Sequence, residues 1–461
     1  MTMRLVVLVP SLRLSGGLNV VVEHATRLST RHGFDVTLAI THHVGEEAWP
    51  YEGLSAVRVV DIDDIAGESF DLALATWWDT VSFLGRVAAK HYAYFIQSLE
   101  DRFYDHDDPQ VALAGLTYRL RLPVITEARW IADLMSQLDP SLPCHYVRNG
   151  INKDVFPEQA EVEPRRVGPL RVLIEGNPDD HIKGVPEAIE ALRRMNSPAQ
   201  VTVVAAKRSI ALNAEVIGPL TQRELSELYA RTDVVLKLSR VEGMSGPPLE
   251  GFHRGATCVI TPVTGHDEYL QHGWNGLLVG WDDLDGTARA LDLLAEDRRL
   301  LHFLRTNAAA TARAWPSWEQ SSTMMSGALK ALCTSPAVDL ASIEPLYREA
   351  RHQIAHASFA VHGHKVKREA DAAHIEKLEA ALRHAQHEAS DRGEQLLTRK
   401  ARLVDQDQRL IDVNAVLTGL VESSRWLRLL DLAERPVRRL RPGAGSVRGR
   451  LTAARDLTRR S

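Results

Sequence analysis

The stretch Asp233-Val-Val-Leu-Lys-Leu-Ser-Arg-Val-Glu-Gly-Met-Ser-Gly-Pro-Pro-Leu-Glu-Gly251 decides the fold class. Its first part, Asp233–Ser239, is a short apolar run of the kind that forms a strand buried on both faces. A turn of small residues follows. Ser245-Gly246-Pro247-Pro248 then reads as a helix N-cap with a proline in the first turn. Strand, small-residue loop and helix make one βα unit. Two carboxylates, Glu242 and Glu250, bracket the loop. Such a pair can grip the hydroxyls of a sugar-bearing ligand, while backbone amides at a helix start face its phosphates.

The same alternation extends through roughly the first 335 residues, which predicts repeated βα units and parallel sheets. Strands are expected at 4–9, 35–40, 57–62, 71–76, 92–96 and 145–147, with a helix from about Leu18 to His32 behind Ser15-Gly16-Gly17. Asn149–Phe156 is turn chemistry, and the charged run to Pro169 reads as a linker. A second series of strands is expected at 170–175, 201–205, 233–238, 257–261 and 276–279, with a crossover helix between Leu220 and Arg231. The reading is therefore two doubly wound α/β domains, 1–155 and 156–335, facing a cleft at the carboxyl ends of their strands.

Bulk properties narrow the class further. A 461-residue chain exceeds a single core. A net charge of −5 gives no reason to expect nucleic-acid binding by the whole chain. Cys144, Cys258 and Cys333 are widely spaced and in no metal-ligand pattern, which suits a reducing compartment. No metal site is expected. The N-terminus is too short and wrongly built for a signal peptide. No run of about 18 apolar residues is present, so any membrane contact is expected to be peripheral.

Beyond a connector at 336–371 the texture changes. A seven-residue spacing of Ile375, Leu382, Ala389, Leu396, Leu403, Leu410 and Leu417 predicts a long helix over 372–432 with a weak coiled-coil seam. The companion positions are polar in the middle, and Gly393 interrupts the run. Self-association and a single charged helix are both open readings. The tail from Arg435 to Ser461 carries nine arginines and one acid, Asp456, beside the apolar-basic patch at Trp426. Such a segment is attracted to anionic lipid surfaces, and it also reads as a solvated disordered tail.

These pieces together resemble the nucleotide-sugar-dependent glycosyltransferases of the GT-B fold, in the large retaining family with a Glu-x7-Glu motif. Matching elements run in order: Ser15-Gly16-Gly17, Asn149-Gly150-Ile151, Lys183-Gly184, Glu242 to Glu250, and Glu268 with Asn275-Gly276. The resemblance implies a metal-independent, retaining hexosyltransferase using a dTDP-, UDP- or GDP-linked donor and no other cofactor. It implies a glycan or lipid-linked acceptor, bacterial surface-polysaccharide assembly, and a cytoplasmic location at the inner face of the plasma membrane. Tyr94–Glu100, Phe103-Tyr104 and Leu116–Arg119 are similar to a subgroup of rhamnosyltransferases.

By that resemblance Glu242 contacts the donor sugar, Glu250 the ribose, and Lys183 the diphosphate. Gly16, Gly17, Ser245 and Gly246 let backbone approach the phosphates. Family members usually carry a Gly-Arg pair upstream of the lysine, where this chain has Gly176-Asn177. Arg240 and Arg208 are the candidate replacements for the missing cation. On the acceptor side His24, Gln97, Glu100 and Asp101 are candidates to orient the acceptor or assist as a base. Each also reads as an ordinary capping or loop residue. A scaffold with a degenerate transferase body and a nucleotide-sugar epimerase are the competing readings.

Overall fold

In a computed structural model of the chain, the described residues are 2–341 apart from 43–48, 107, 160, 165–167 and 207–215, with scattered positions from 343 to 415. The heptad seam and the basic tail lie outside the described residues, apart from isolated positions. Met1–Pro345 forms one compact unit that holds two parallel sheets.

The first sheet contains β1 (Met3–Val9), β2 (Phe34–Ile40), β3 (Arg58–Asp61), β4 (Ser69–Ala75), β5 (Ala88–Ile96), β6 (Val124–Thr126) and β7 (Cys144–Tyr146). Their order is β3-β2-β1-β4-β5-β6-β7. The chain starts at the centre, winds outward to one edge, then reverses, so the switch point falls between β1 and β4. Leu5–Val9 are all buried, as expected of a strand covered on both faces. Helix α1 (Gly16–Arg31) begins at Gly16, because the Ser15 hydroxyl caps it by accepting from Leu18 N at 3.2 Å. Leu18, Val21, Val22, Ala25 and Leu28 form its buried stripe. Helices α2 (Pro109–Thr117) and α3 (Arg129–Leu138) complete this half.

The second sheet contains β8 (Leu170–Glu175), β9 (Ala199–Val204), β10 (Val216–Ile217), β11 (Val234–Lys237), β12 (Thr257–Ile260) and β13 (Leu277–Leu278), in the order β10-β9-β8-β11-β12-β13. Here β8 and β11 flank the switch point. Helices α4 (Val185–Arg193), α5 (Gln222–Ala230), α6 (Gly246–His253), α7 (Leu284–Glu296) and α8 (Arg298–Ala314) cross over between strands or cover them. The expected strands are present within a few residues. Two were not foreseen, β6 and β10, which are three and two residues long.

One element departs from the expected partition. Helix α9 (Trp318–Leu332) was grouped with the second domain, yet Met325, Ala328, Leu329 and Leu332 lie in the first sheet's core with Leu28 and Phe34. The return crossing runs beside the outward one. Trp315 Nε1 donates to Asn149 O at 2.9 Å, Ser321 Oγ to Arg148 O at 2.7 Å, and Ile151 bridges Ser317. The chain thus crosses between the sheets twice at one place. No helix among the described residues is long and apolar enough to cross a membrane.

Candidate functional site at the switch point of the second sheet

Strand β11 ends at the switch point and delivers the loop that carries Glu242. On its other side, β8 delivers a loop that turns through His181–Lys183 into α4. Two features press these loops together. Gly184 has φ +65° and sits against the Leu238 carbonyl, where a Cβ would overlap the oxygen. Arg240 N donates to Ile182 O at 2.8 Å. The result is that Lys183 Nζ lies 3.2 Å from Glu242 Oε1. The Lys-Gly pair is therefore a positioning device: the glycine permits the approach that aims the lysine.

A second ammonium shares the same oxygen. Lys237, in β11 and 7% exposed, places Nζ 3.2 Å from Glu242 Oε1. Sequence reading passed over this residue as part of an apolar strand. The Glu242 side chain is only 12% exposed, and burial alone would raise its pKa. The Lys237 and Lys183 charges reverse that and hold it at about 2. Of the two candidate replacement cations, Arg240 pairs with Asp282 at the surface, and Arg208 lies outside the described residues. Asn177 opens the loop, its carbonyl accepting from Asp180 N at 3.1 Å.

Glu250 lies one turn into α6. Burial first, and the neighbouring Glu175 second, push its pKa up to about 8. Tyr229 donates its hydroxyl to Glu175 between them. Ser245 occupies the N-cap position, but its side chain makes no capping bond. Pro247 and Pro248 remove two N–H groups from the first turn, so the expected phosphate seat is reduced to the amides around Gly246.

The first domain closes directly on this loop. A Cβ on Gly243 would overlap the Gln97 carbonyl oxygen, and Trp130 Nε1 donates to Gly243 O at 2.8 Å. The Gln97 side chain in turn faces Gly17, whose added Cβ would lie 3.3 Å from Gln97 Oε1. Gly17, Gln97 and Gly243 therefore line up across the junction. Gly16, the first residue of α1, has no neighbour within 4 Å of an added Cβ. Glu268 fastens the two halves nearby, accepting from Arg129 N at 2.5 Å and from the Tyr146 hydroxyl, with Arg148 Nη2 at 3.6 Å.

Two expected acceptor-side residues are internal instead. His24 is 3% exposed, with its ring edge-on to Phe95 and Trp318 and neither nitrogen hydrogen-bonded. Burial drops its pKa to about 3, so it is a neutral core group. Glu100 is 1% exposed and accepts from Trp78 N and from Tyr94 Oη, the latter at 2.8 Å. It ties the turn at 78–86 to β5. Asp101 is held by Tyr118 Oη at 3.4 Å, and burial raises its pKa.

Glu127, at the end of the unforeseen β6, was missed. It is buried, accepts from Asn149 Nδ2 at 2.7 Å, and has a pKa near 8, raised first by burial and then by Glu242 and Glu268. Glu127 is thus held by Asn149 near enough to Glu242 to feel its charge. Among the described residues no group of His, Cys, Asp or Glu could hold a metal ion.

Comparison with solved structures decides the architecture. Sucrose-phosphate synthase from Thermosynechococcus elongatus superposes with a TM-score of 0.61 at 15% identity, over 72% of this chain and 99% of that one. HepE from Anabaena, in complex with UDP-glucose, gives 0.57 at 15%, over 71% and 100%. WaaG, a glycosyltransferase of lipopolysaccharide biosynthesis, gives 0.54 at 14%, over 72% and 100%. The fold is GT-B. Within this GT-B chain, residues 170–297 match the family model described as glycosyl transferases group 1, a span that contains Lys183, Lys237, Glu242 and Glu250. No curated protein matches the sequence.

Proposed function

We propose that the chain transfers a hexose or deoxyhexose from a nucleoside diphosphate donor to a glycan or lipid-linked acceptor. The observation that carries this reading is the Lys183–Glu242 pair at the switch point of the second GT-B sheet, on a loop whose Gly243 packs against Gln97 of the first. A departing diphosphate needs positive charge at the bond being broken, and Lys183 supplies it. Glu242, kept ionised, accepts hydrogen bonds from donor-sugar hydroxyls and fixes the ring. Glu250 reaches the ribose. The acceptor enters from the side of Gln97 and Glu127. Transfer with retention follows if the acceptor hydroxyl attacks on the face the diphosphate leaves, giving up its proton to the leaving phosphate.

The structures of HepE carry UDP-glucose or UDP, which supports a nucleotide sugar as the donor class. Rhamnose belongs in the donor panel on the resemblance at Tyr94–Glu100. Those residues form a buried hydrogen-bond network with Trp78, so they bear on the shape of the first domain more than on donor choice. The basic tail would hold the enzyme on an anionic membrane, where a lipid-linked acceptor resides; vesicle co-sedimentation of the chain cut after residue 434 tests this, and unchanged pelleting would refute it.

The functional test is sugar transfer by purified Lys183→Ala and Glu242→Ala variants. Both are expected to fold and to lose transfer. Normal turnover in both would overturn the roles given to Lys183 and Glu242, and absence of transfer by the wild type would leave a scaffold built on a transferase body.

A further inference from the structure

We infer that Lys237 is the resident counter-ion of Glu242, a positioning residue that keeps this carboxylate in place while Lys183 leaves it for the donor's diphosphate. The inference deepens the glycosyl-transfer reading and rests on it for the identity of the anion.

The asymmetry between the two lysines carries the argument. Both ammonium groups lie 3.2 Å from the same oxygen, Glu242 Oε1. Lys237 sits in β11, whose backbone is paired on both sides, with Leu236 opposite Ile174 of β8 and Lys237 opposite Ile260 of β12. Its Cα is fixed and its side chain is 7% exposed. Its ammonium also donates to the Glu175 carbonyl at 3.5 Å. Lys183 stands in a short turn and is 27% exposed.

Two cations share one carboxylate oxygen. An arriving diphosphate draws the exposed, turn-borne lysine. With Lys183 alone, that movement would strand a buried carboxylate without a partner, which is strongly unfavourable. With Lys237 in place Glu242 stays paired at every stage. The groups facing this cluster are Lys183, Lys237, Glu127 from the first domain and Tyr269 on the Glu242 side, with Glu175 and Glu250 on the Lys237 side. Apart from the two lysines these titratable groups are acids, so Lys237 is the strand-borne positive charge among them, and Ser239 also faces Glu242.

The test compares Lys183→Met and Lys237→Met in the full chain, by calorimetry with UDP, dTDP and GDP, by the pH profile of kcat, and by 13C NMR titration of labelled glutamate side chains. Lys183→Met is expected to weaken binding of the preferred nucleoside diphosphate by about tenfold or more. Lys237→Met is expected to retain most of that affinity, to lower kcat, and to move the acid limb of the profile and the Glu242 titration up by about one pH unit or more. Equal losses of diphosphate affinity in both variants, with the acid limb unmoved, would overturn the inference and make Lys237 a second phosphate ligand. If Lys237→Met fails to fold, the double variant Lys237→Met/Glu242→Gln decides: recovery of the fold supports the pairing, and continued misfolding contradicts it. Should no nucleotide bind the wild-type chain, the transferase reading fails, and the Glu242 titration still decides the pairing.

Discussion

Glu242 and Glu250 face opposite electrostatic surroundings although one loop holds both. Two lysines hold the pKa of Glu242 down, whereas burial and Glu175 push that of Glu250 up. At neutral pH an amide therefore imitates Glu250 but not Glu242. Glu250→Gln is expected to bind a nucleotide sugar nearly as the wild type does at pH 7, and Glu250→Ala to bind about tenfold more weakly, the scale of one or two lost hydrogen bonds. Calorimetry at pH 7 checks this; equal losses in both would mean that the ribose contact needs the charge. The spacing of the two glutamates was legible in the sequence, but their opposite pKa shifts were not. These depend on Lys237 and Glu175, which come from strands far apart in the chain. The signal for Lys237 was present all the same: a lysine among Val234, Val235, Leu236 and Leu238 is an ionisable group that folding must bury and therefore pair. His24 and Glu100 misled because sequence position gives distance from a strand end but not the side on which a side chain is covered.

At the scale of elements, the site depends on how closely two loops and two sheets approach. Gly243 packs on the backbone of Gln97 so tightly that no side chain fits. Gly243→Ala is expected to leave each sheet folded, with its thermal transition retained, but to hold the halves apart. A larger radius of gyration in small-angle scattering and a fall in transfer of about a hundredfold would follow from misplacing the acceptor side by an ångström or so. An unchanged radius with full activity would show that the contact is incidental. The βα alternation made both sheets readable, because continuous apolar runs have few other solutions. Strands β6 and β10 were hidden by their brevity, and missing β6 concealed Glu127. The return of α9 was hidden for a different reason: its stripe of Met325, Ala328, Leu329 and Leu332 says that it is buried, not against which sheet.

Over the whole molecule, several buried carboxyl groups set the pH response. Glu100, Glu127 and Glu250 are each pushed from 4.5 up to about 8. Between those limits the folded chain holds protons that the unfolded chain has released, so stability falls as pH rises. Glu242, lowered to about 2, acts in reverse and contributes stability that is lost as pH falls below about 4.5. Buried neutral His24 and His253, with pKa values lowered from 6.5, oppose this trend below about pH 6.5, so the melting temperature is expected to decline most clearly between about pH 6.5 and 8. Glu100→Gln, which still accepts from Trp78 and Tyr94, should flatten that decline. A melting temperature that rises over that range would contradict these assignments.

The central claim is that the lysine-bracketed carboxylate at the second switch point is a donor site. Isothermal titration of the chain with UDP-, dTDP- and GDP-linked sugars tests it most directly, alongside the Lys183→Ala variant. The expected result is saturable binding of at least one nucleotide sugar to the wild type and its loss in the variant. Binding of none of them, or binding undiminished without Lys183, would contradict the account.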